Sequence, residues 1–158
     1  MKKIVIGFFL FIMVISFTYG ETVLIRPNAS VGYLSSDDIN GLAFVYGIKL
    51  LLSANEFQRY GILVDHLFLQ NNEDVSYLRT GLMLEQVLFK YFNMGIGTVG
   101  YINLVQTGEN PFSIYTHLGF EYKYAKYISI LASYQSDFIF RKNFTMYSSF
   151  QFGIGIQL

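Results

Sequence analysis

Residues 148–158 read Ser-Ser-Phe-Gln-Phe-Gly-Ile-Gly-Ile-Gln-Leu. From Phe150 every second residue is large and apolar: Phe150, Phe152, Ile154, Ile156 and Leu158. Between them stand Gln151, Gly153, Gly155 and Gln157. Successive side chains of a strand point to opposite faces. One face of this strand is therefore apolar, and the other is polar or bare. Glycine weakens a strand and covers nothing, so a water-facing surface gains little from it. The reading that explains both faces puts lipid on the apolar side and a crowded interior on the glycine side. A strand that closes a barrel is expected to need no polar tail after it.

The same alternation recurs upstream. Eight segments are expected, with cores near 28–34, 41–52, 57–69, 77–89, 92–105, 113–124, 127–138 and 146–158. Polar connectors such as Ser35-Ser36-Asp37-Asp38 and Gln70-Asn71-Asn72-Glu73-Asp74 separate them. In the second segment Leu42, Phe44, Tyr46, Ile48, Leu50 and Leu52 share one face. Sorting the other segments the same way places every charge of strands two to eight on the opposite face. These are Lys49, Arg59, Asp65, Arg79, Glu85, Glu121, Lys123 and Asp137, four positive and four negative. His117 shares that face, as do nearly all the glycines; Gly100 is the exception. Together with His117, these charges are expected to form a network inside the barrel. The interior of eight strands is just wide enough for side chains, so long charged groups fit only beside small ones. Pairing is required because a buried unpaired charge costs several kcal/mol.

The start of the chain sets the compartment. Lys2 and Lys3 precede an apolar run from Ile4 to Phe17, followed by Thr18-Tyr19-Gly20. That is the form of a secretory signal, expected to be cleaved after residue 20 and to leave one domain, 21–158. The apolar run is shorter than the ~20 residues of a spanning helix. The chain has no cysteine, which excludes disulfides, thiol catalysis and cysteine-held metal. The formal net charge is zero, which offers no electrostatic case for nucleic acid. Aromatics make up 18% of the chain and charged residues only 14%, against about 25% charged in soluble domains. The mature part has no apolar stretch long enough for a helix, so a membrane would be crossed by strands. The fold class is all-β: an eight-stranded antiparallel up-and-down transmembrane barrel. Tyr33, Tyr77, Tyr91, Phe92, Tyr122, Tyr124, Tyr127 and Phe138 are candidates for interfacial girdles. Pro27 lacks a donor, so regular pairing of the first strand is expected to start after it or to bulge there.

The signal, the eight alternating segments and the apolar-alternating last strand resemble the small outer-membrane β-barrels, the OmpA transmembrane domain, OmpX and their relatives. The resemblance covers nearly the whole mature chain and is one of architecture. It implies a monomer in the bacterial outer membrane, with outer-membrane lipids and the barrel-assembly machinery as partners. Both termini would face the periplasm, with inner turns near 53–56, 90–91 and 125–126. In that group the last residue is usually aromatic; here it is Leu158. The implied function is a structural or interaction role without catalysis, cofactor or metal, with an unknown extracellular ligand left open. The outer connectors are short, which disfavours a dedicated adhesin. Three alternatives stand beside this reading. One is a narrow, porin-like pore for water, ions or small solutes. A second is a lipid-modifying enzyme built on outward-facing His66 and its neighbour Ser76. The third is a soluble lipid-binding barrel.

Overall fold

The computed structural model describes residues 22–37, 39–70, 72–105, 110–141 and 144–158. The signal segment expected over 1–20 lies outside the described residues. Eight strands follow one another: β1 (Thr22–Ser35), β2 (Asn40–Ser53), β3 (Gln58–Leu69), β4 (Asn72–Phe89), β5 (Phe92–Asn103), β6 (Phe112–Ala125), β7 (Ile128–Phe140) and β8 (Thr145–Gln157). Each pairs antiparallel with the next, and β8 pairs with β1 to close the barrel. Closure leaves no strand edge to satisfy, which is what lipid demands of a sheet.

The registers fix the geometry. Followed sideways from Ile25, the ladder passes Leu50, Ile62, Leu82, Thr98, Ile114, Phe138 and Met146. It returns to β1 at Ser35, ten residues further on. A stagger of that size over eight strands tilts them by roughly 40° to the axis. One end of the barrel carries tight turns, including Lys90-Tyr91 and Lys126-Tyr127; this is the turn end. The other, the loop end, carries the remaining connections.

Outward positions are mostly apolar: Leu82, Ile96, Leu118, Phe150, Phe152 and Ile154 are all more than half exposed. Inward positions hold the charges and most of the glycines. Gly100 faces outward as its parity requires, and a side-chain carbon there would meet nothing nearer than Thr80 O at 3.7 Å. The interior is more mixed than the alternation suggested. Leu51, Leu63, Leu67, Met83 and Val99 point inward and are buried, forming an apolar cluster with Tyr101, Tyr115 and Tyr147.

Three details differ from the sequence reading. β1 begins at Thr22, with Pro27 inside it and opposite Ile48 of β2. On the other side, pairing with β8 lapses at Arg26 and Pro27 and resumes in the same register at Asn28. The missing proline N–H is thus absorbed as a local gap in one ladder, without a bulge. β4 begins at Asn72, five residues before its expected core, with a register shift at Phe68/Leu69. Its polar start reads as a loop in sequence because hairpin pairing that extends past the apolar band needs no apolar residues. Tyr77 is not a girdle residue: it points inward, edge-on to the Tyr101 ring at 5.7 Å.

Candidate functional site

The site is the barrel interior, built in three tiers along the axis. The tier nearest the turn end joins β1, β3, β4 and β6. Arg26 Nη1 and Nη2 donate to the two oxygens of Glu85 at 2.6 and 3.0 Å. Arg26 Nη2 also donates to Glu121 Oε2 at 2.6 Å. Arg59 Nη1 reaches the same two carboxylates, at 2.8 and 2.6 Å. Ser129 donates to Glu121 at 2.8 Å, and His117 Nε2 lies 3.2 Å from Glu85 Oε2. Arg26 thus meets Glu85 with both prongs of its guanidinium, the geometry that suits arginine, while Arg59 bridges the two carboxylates through a single nitrogen.

The middle tier is Lys49. Its Nζ donates to Tyr115 OH at 2.7 Å and to Gln151 Oε1 at 2.5 Å. Gln151 is held in turn by donating to Asn28 at 2.6 Å. Among the described residues no carboxylate lies within ion-pair distance of Lys49. The tier nearest the loop end centres on Arg79. Its Nη2 donates to Asp137 Oδ2 at 2.8 Å, and its Nε lies 3.4 Å from Asp65 Oδ1, an ion pair without hydrogen-bond geometry. Tyr101 OH donates to Asp137 at 2.5 Å. The Arg79 guanidinium also sits over the Tyr101 and Tyr147 rings, 5.4 Å from each centroid.

Of the charges expected inside, Lys49, Arg59, Asp65, Arg79, Glu85, Glu121 and Asp137 are brought together as described, with His117. Lys123 is a correction. It keeps the inward parity but lies exposed at the rim of the turn end, away from the ion pairs. Arg26 takes its place, so four inward cations, three of them buried and Arg59 half-buried, still face four buried carboxylates. Sequence reading missed Arg26 because the first strand was started after Pro27. The parity signal was present: Arg26 shares its face with Asn28, Ser30 and Gly32.

Steric room comes from the opposing glycines. A side chain at residue 95 would strike the His117 ring, and one at residue 119 would meet Asn93 Oδ1 at 2.6 Å. A recess of about 390 Å³ opens at the turn end, with Arg59, Glu121, Lys123 and Ser129 among its walls. Arg59 and Glu121, which line it, both bond to members of the Arg26–Glu85 pair. At the level of Lys49 and His117 there is a space of about 20 Å³, enough for one water. Among the described residues, no three His, Asp or Glu side chains are grouped to hold a metal.

His66 belongs to the outward face. Its Nε2 lies 2.7 Å from Ser76 Oγ and its Nδ1 2.9 Å from Tyr46 OH. Both ring nitrogens are thus taken by hydroxyl groups. The barrel-closing residues Phe150, Phe152, Ile154, Ile156 and Leu158 are all exposed on the same face.

No family model matches the chain, and no curated protein matches it. Solved structures do. Neisserial surface protein A (NspA) matches with a TM-score of 0.65 at 11% identity, covering 86% of this chain and 97% of that one. The N-terminal β-barrel domain of Pseudomonas aeruginosa OprF gives 0.60 at 13% identity, covering 87% and 97%. This chain has the fold of the small outer-membrane β-barrels. Ail, the attachment invasion locus protein of Yersinia pestis, shares it with a TM-score of 0.54 at 13% identity, covering 87% and 99%. So low an identity over nearly complete lengths fits a fold set by strand number, stagger and alternation, which many side-chain choices satisfy.

Proposed function

We propose that this protein is a monomeric integral barrel of the bacterial outer membrane with a structural or interaction role and no catalysis. The observation that carries the reading is the inversion of its two faces: large apolar side chains outside, and charge-balanced buried tiers inside. The turn end would face the periplasm and the loop end the exterior. Export through a cleaved signal, residues 1–20, and insertion by the barrel-assembly machinery belong to the same reading, with outer-membrane lipids as the surrounding partner. Catalysis is disfavoured because the outward contact of Ser76 with His66 has a tyrosine on the other ring nitrogen, where a nucleophile's base is usually oriented by a carboxylate.

The experiment is refolding of residues 21–158 in detergent and in lipid. A β-type spectrum and a heat-sensitive gel mobility that both require amphiphile support the membrane barrel. A monomer that folds in plain buffer would overturn it. A second reading, a narrow pore, draws on the recess at the turn end, which brings water to Arg59 and Glu121. Planar bilayers separate the two readings: the plugged interior predicts silence, and steady unitary currents would favour the pore.

A further inference from the structure

Lys123 and Lys126 stand at the mouth of the recess that opens at the turn end. Six strands wall this recess: β1, β2, β3, β6, β7 and β8. Its volume of about 390 Å³ lies at the small end of the ~300–1,000 Å³ range of ligand sites. Toward the loop end the interior is filled instead by apolar side chains, among them Leu34, Leu67, Leu69, Val99 and Ile139. A solute reaches the recess from the turn end.

The charges around it do not cancel. Arg59 and Glu121 line its inner part and belong to the tier with Arg26 and Glu85, two cations with two carboxylates. Outside that balanced set the lining holds Lys123, Lys126 and Glu56. Two positive charges thus face one negative. Among the described residues none of these three has an ion-pair partner. Lys126 lies over the Tyr127 ring, 4.8 Å from its centroid, which leaves its ammonium open to an anion.

The hydrogen-bonding groups lean the same way. Arg59 uses Nη1 for both Glu85 and Glu121, and its Nη2 and Nε have no acceptor among the described residues. Asn55 Oδ1 accepts from the Phe57 and Gln58 backbone N–H groups at 2.8 and 2.9 Å, so its amide N–H₂ is what remains to offer. Ser129 is committed to Glu121. Uncommitted donors therefore outnumber uncommitted acceptors in the lining. Leu24 and Ile128 add an apolar side.

We infer that the recess binds a small solute carrying one compact oxyanion, a carboxylate or a phosphate ester, with Lys123 and Lys126 as its charge partners. A cation would meet two lysines and Arg59, and an uncharged solute would leave both lysines without a counter-charge. An oxyanion matches both the surplus positive charge and the surplus of donors. The ammonium of lysine is a compact point charge that suits either oxyanion. The volume admits that group with a short carbon chain, which Leu24 and Ile128 would cover. Entry from the periplasm rests on the membrane-barrel reading above; the recess itself does not.

The test uses the protein refolded in uncharged, deuterated micelles, with lactate, glycerol 3-phosphate and glycerol as probes. Saturation transfer from the protein to the carbon-bound protons of lactate, of glycerol 3-phosphate or of both is expected, with none to glycerol. The anion that receives it identifies the oxyanion. Lys123→Gln and Lys126→Gln should each weaken binding about three- to fivefold, the size of an exposed ion pair. Lys90→Gln, at the other tight turn and outside the recess, should leave binding unchanged. Transfer to glycerol as strong as to the anions, transfer to none of the three probes, or equal loss in all three variants would overturn the inference. Folding behaviour keeps the two readings apart. A chain that needs amphiphile to fold and binds neither anion refutes the site alone; one that folds in plain buffer and binds an anion refutes the membrane reading alone.

Discussion

Gly95 and His117 face each other across β5 and β6, and the imidazole occupies the space that a side chain at residue 95 would fill. The same imidazole reaches Glu85 at 3.2 Å. One missing side chain thus lets a bulky group lie flat against the wall and join the ion-pair tier. Gly95→Ala should cost about 1–3 kcal/mol through overpacking. In a His117→Ala background the cost should fall by more than half, with the remainder due to the Leu84 carbonyl 2.9 Å from the new carbon. A double-mutant cycle by urea unfolding in micelles measures this coupling. Additive costs would mean that the ring is not what the glycine accommodates.

Arg26 supplies the two-pronged contact to Glu85 and a third bond to Glu121. Arg26→Ala leaves both carboxylates to Arg59 and His117, and should destabilise by about 3–5 kcal/mol, as for a buried pair broken on one side. Replacing Arg26 and Glu85 together with methionine should cost much less than the two single changes summed. Unfolding midpoints of the three variants decide it, and a double variant as unstable as that sum would count against an obligatory pair.

That pair also shows where the sequence stops being readable. The inward and outward assignment followed from a period of two, and that period is local, so it was available from the residues alone. The identity of partners was not. Arg26 meets Glu85 and Glu121, 59 and 95 positions away, and that depends on stagger, which no single strand encodes. Lys123 was misjudged for a related reason. Parity says which face a residue takes but not how far along the axis the interior extends. Leu63 and Leu67 share the parity of Asp65, so the period of two already turns them inward, although a leucine by itself is compatible with either face. The outward row of Thr116, Ser136 and Ser148, successive partners across β6, β7 and β8, is likewise invisible until the strands are set in register.

Lys49 and Arg79 are both buried cations, yet they should respond differently to neutralisation. Arg79 lies between two carboxylates, Asp65 and Asp137, whereas Lys49 is held by a phenol and an amide. Arg79→Met should therefore cost about 3–5 kcal/mol, the penalty for stranding buried charge. Lys49→Met removes two hydrogen bonds from a charged group, about 1.5–3 kcal/mol each at most, and also removes the desolvation penalty of a buried ammonium. Its net cost should be well below that of Arg79→Met. Thermal loss of the heat-sensitive gel form ranks the two, and a reversed order would show that Lys49 neutralises the aspartates at longer range.

The absence of native cysteine allows the face assignment to be tested residue by residue. Ser149 and Phe150 are neighbours on β8; the first is 1% exposed and inward, the second 62% exposed and outward. Single cysteines at the two positions, labelled with a small fluorophore under unfolding conditions and refolded into vesicles with brominated acyl chains, should behave oppositely. The probe at 150 should be strongly quenched, because its side of the strand is bathed in lipid. The probe at 149 should be spared, or should prevent refolding, because the interior around it is filled by Tyr147, Gln151 and the Arg79 tier. The contrast should repeat at Val99 and Thr98 on β5, three strands away, where Val99 points inward and Thr98 outward. Quenching of both members of a pair would mean a flattened or opened sheet, and quenching of the inward members alone would reverse the two faces.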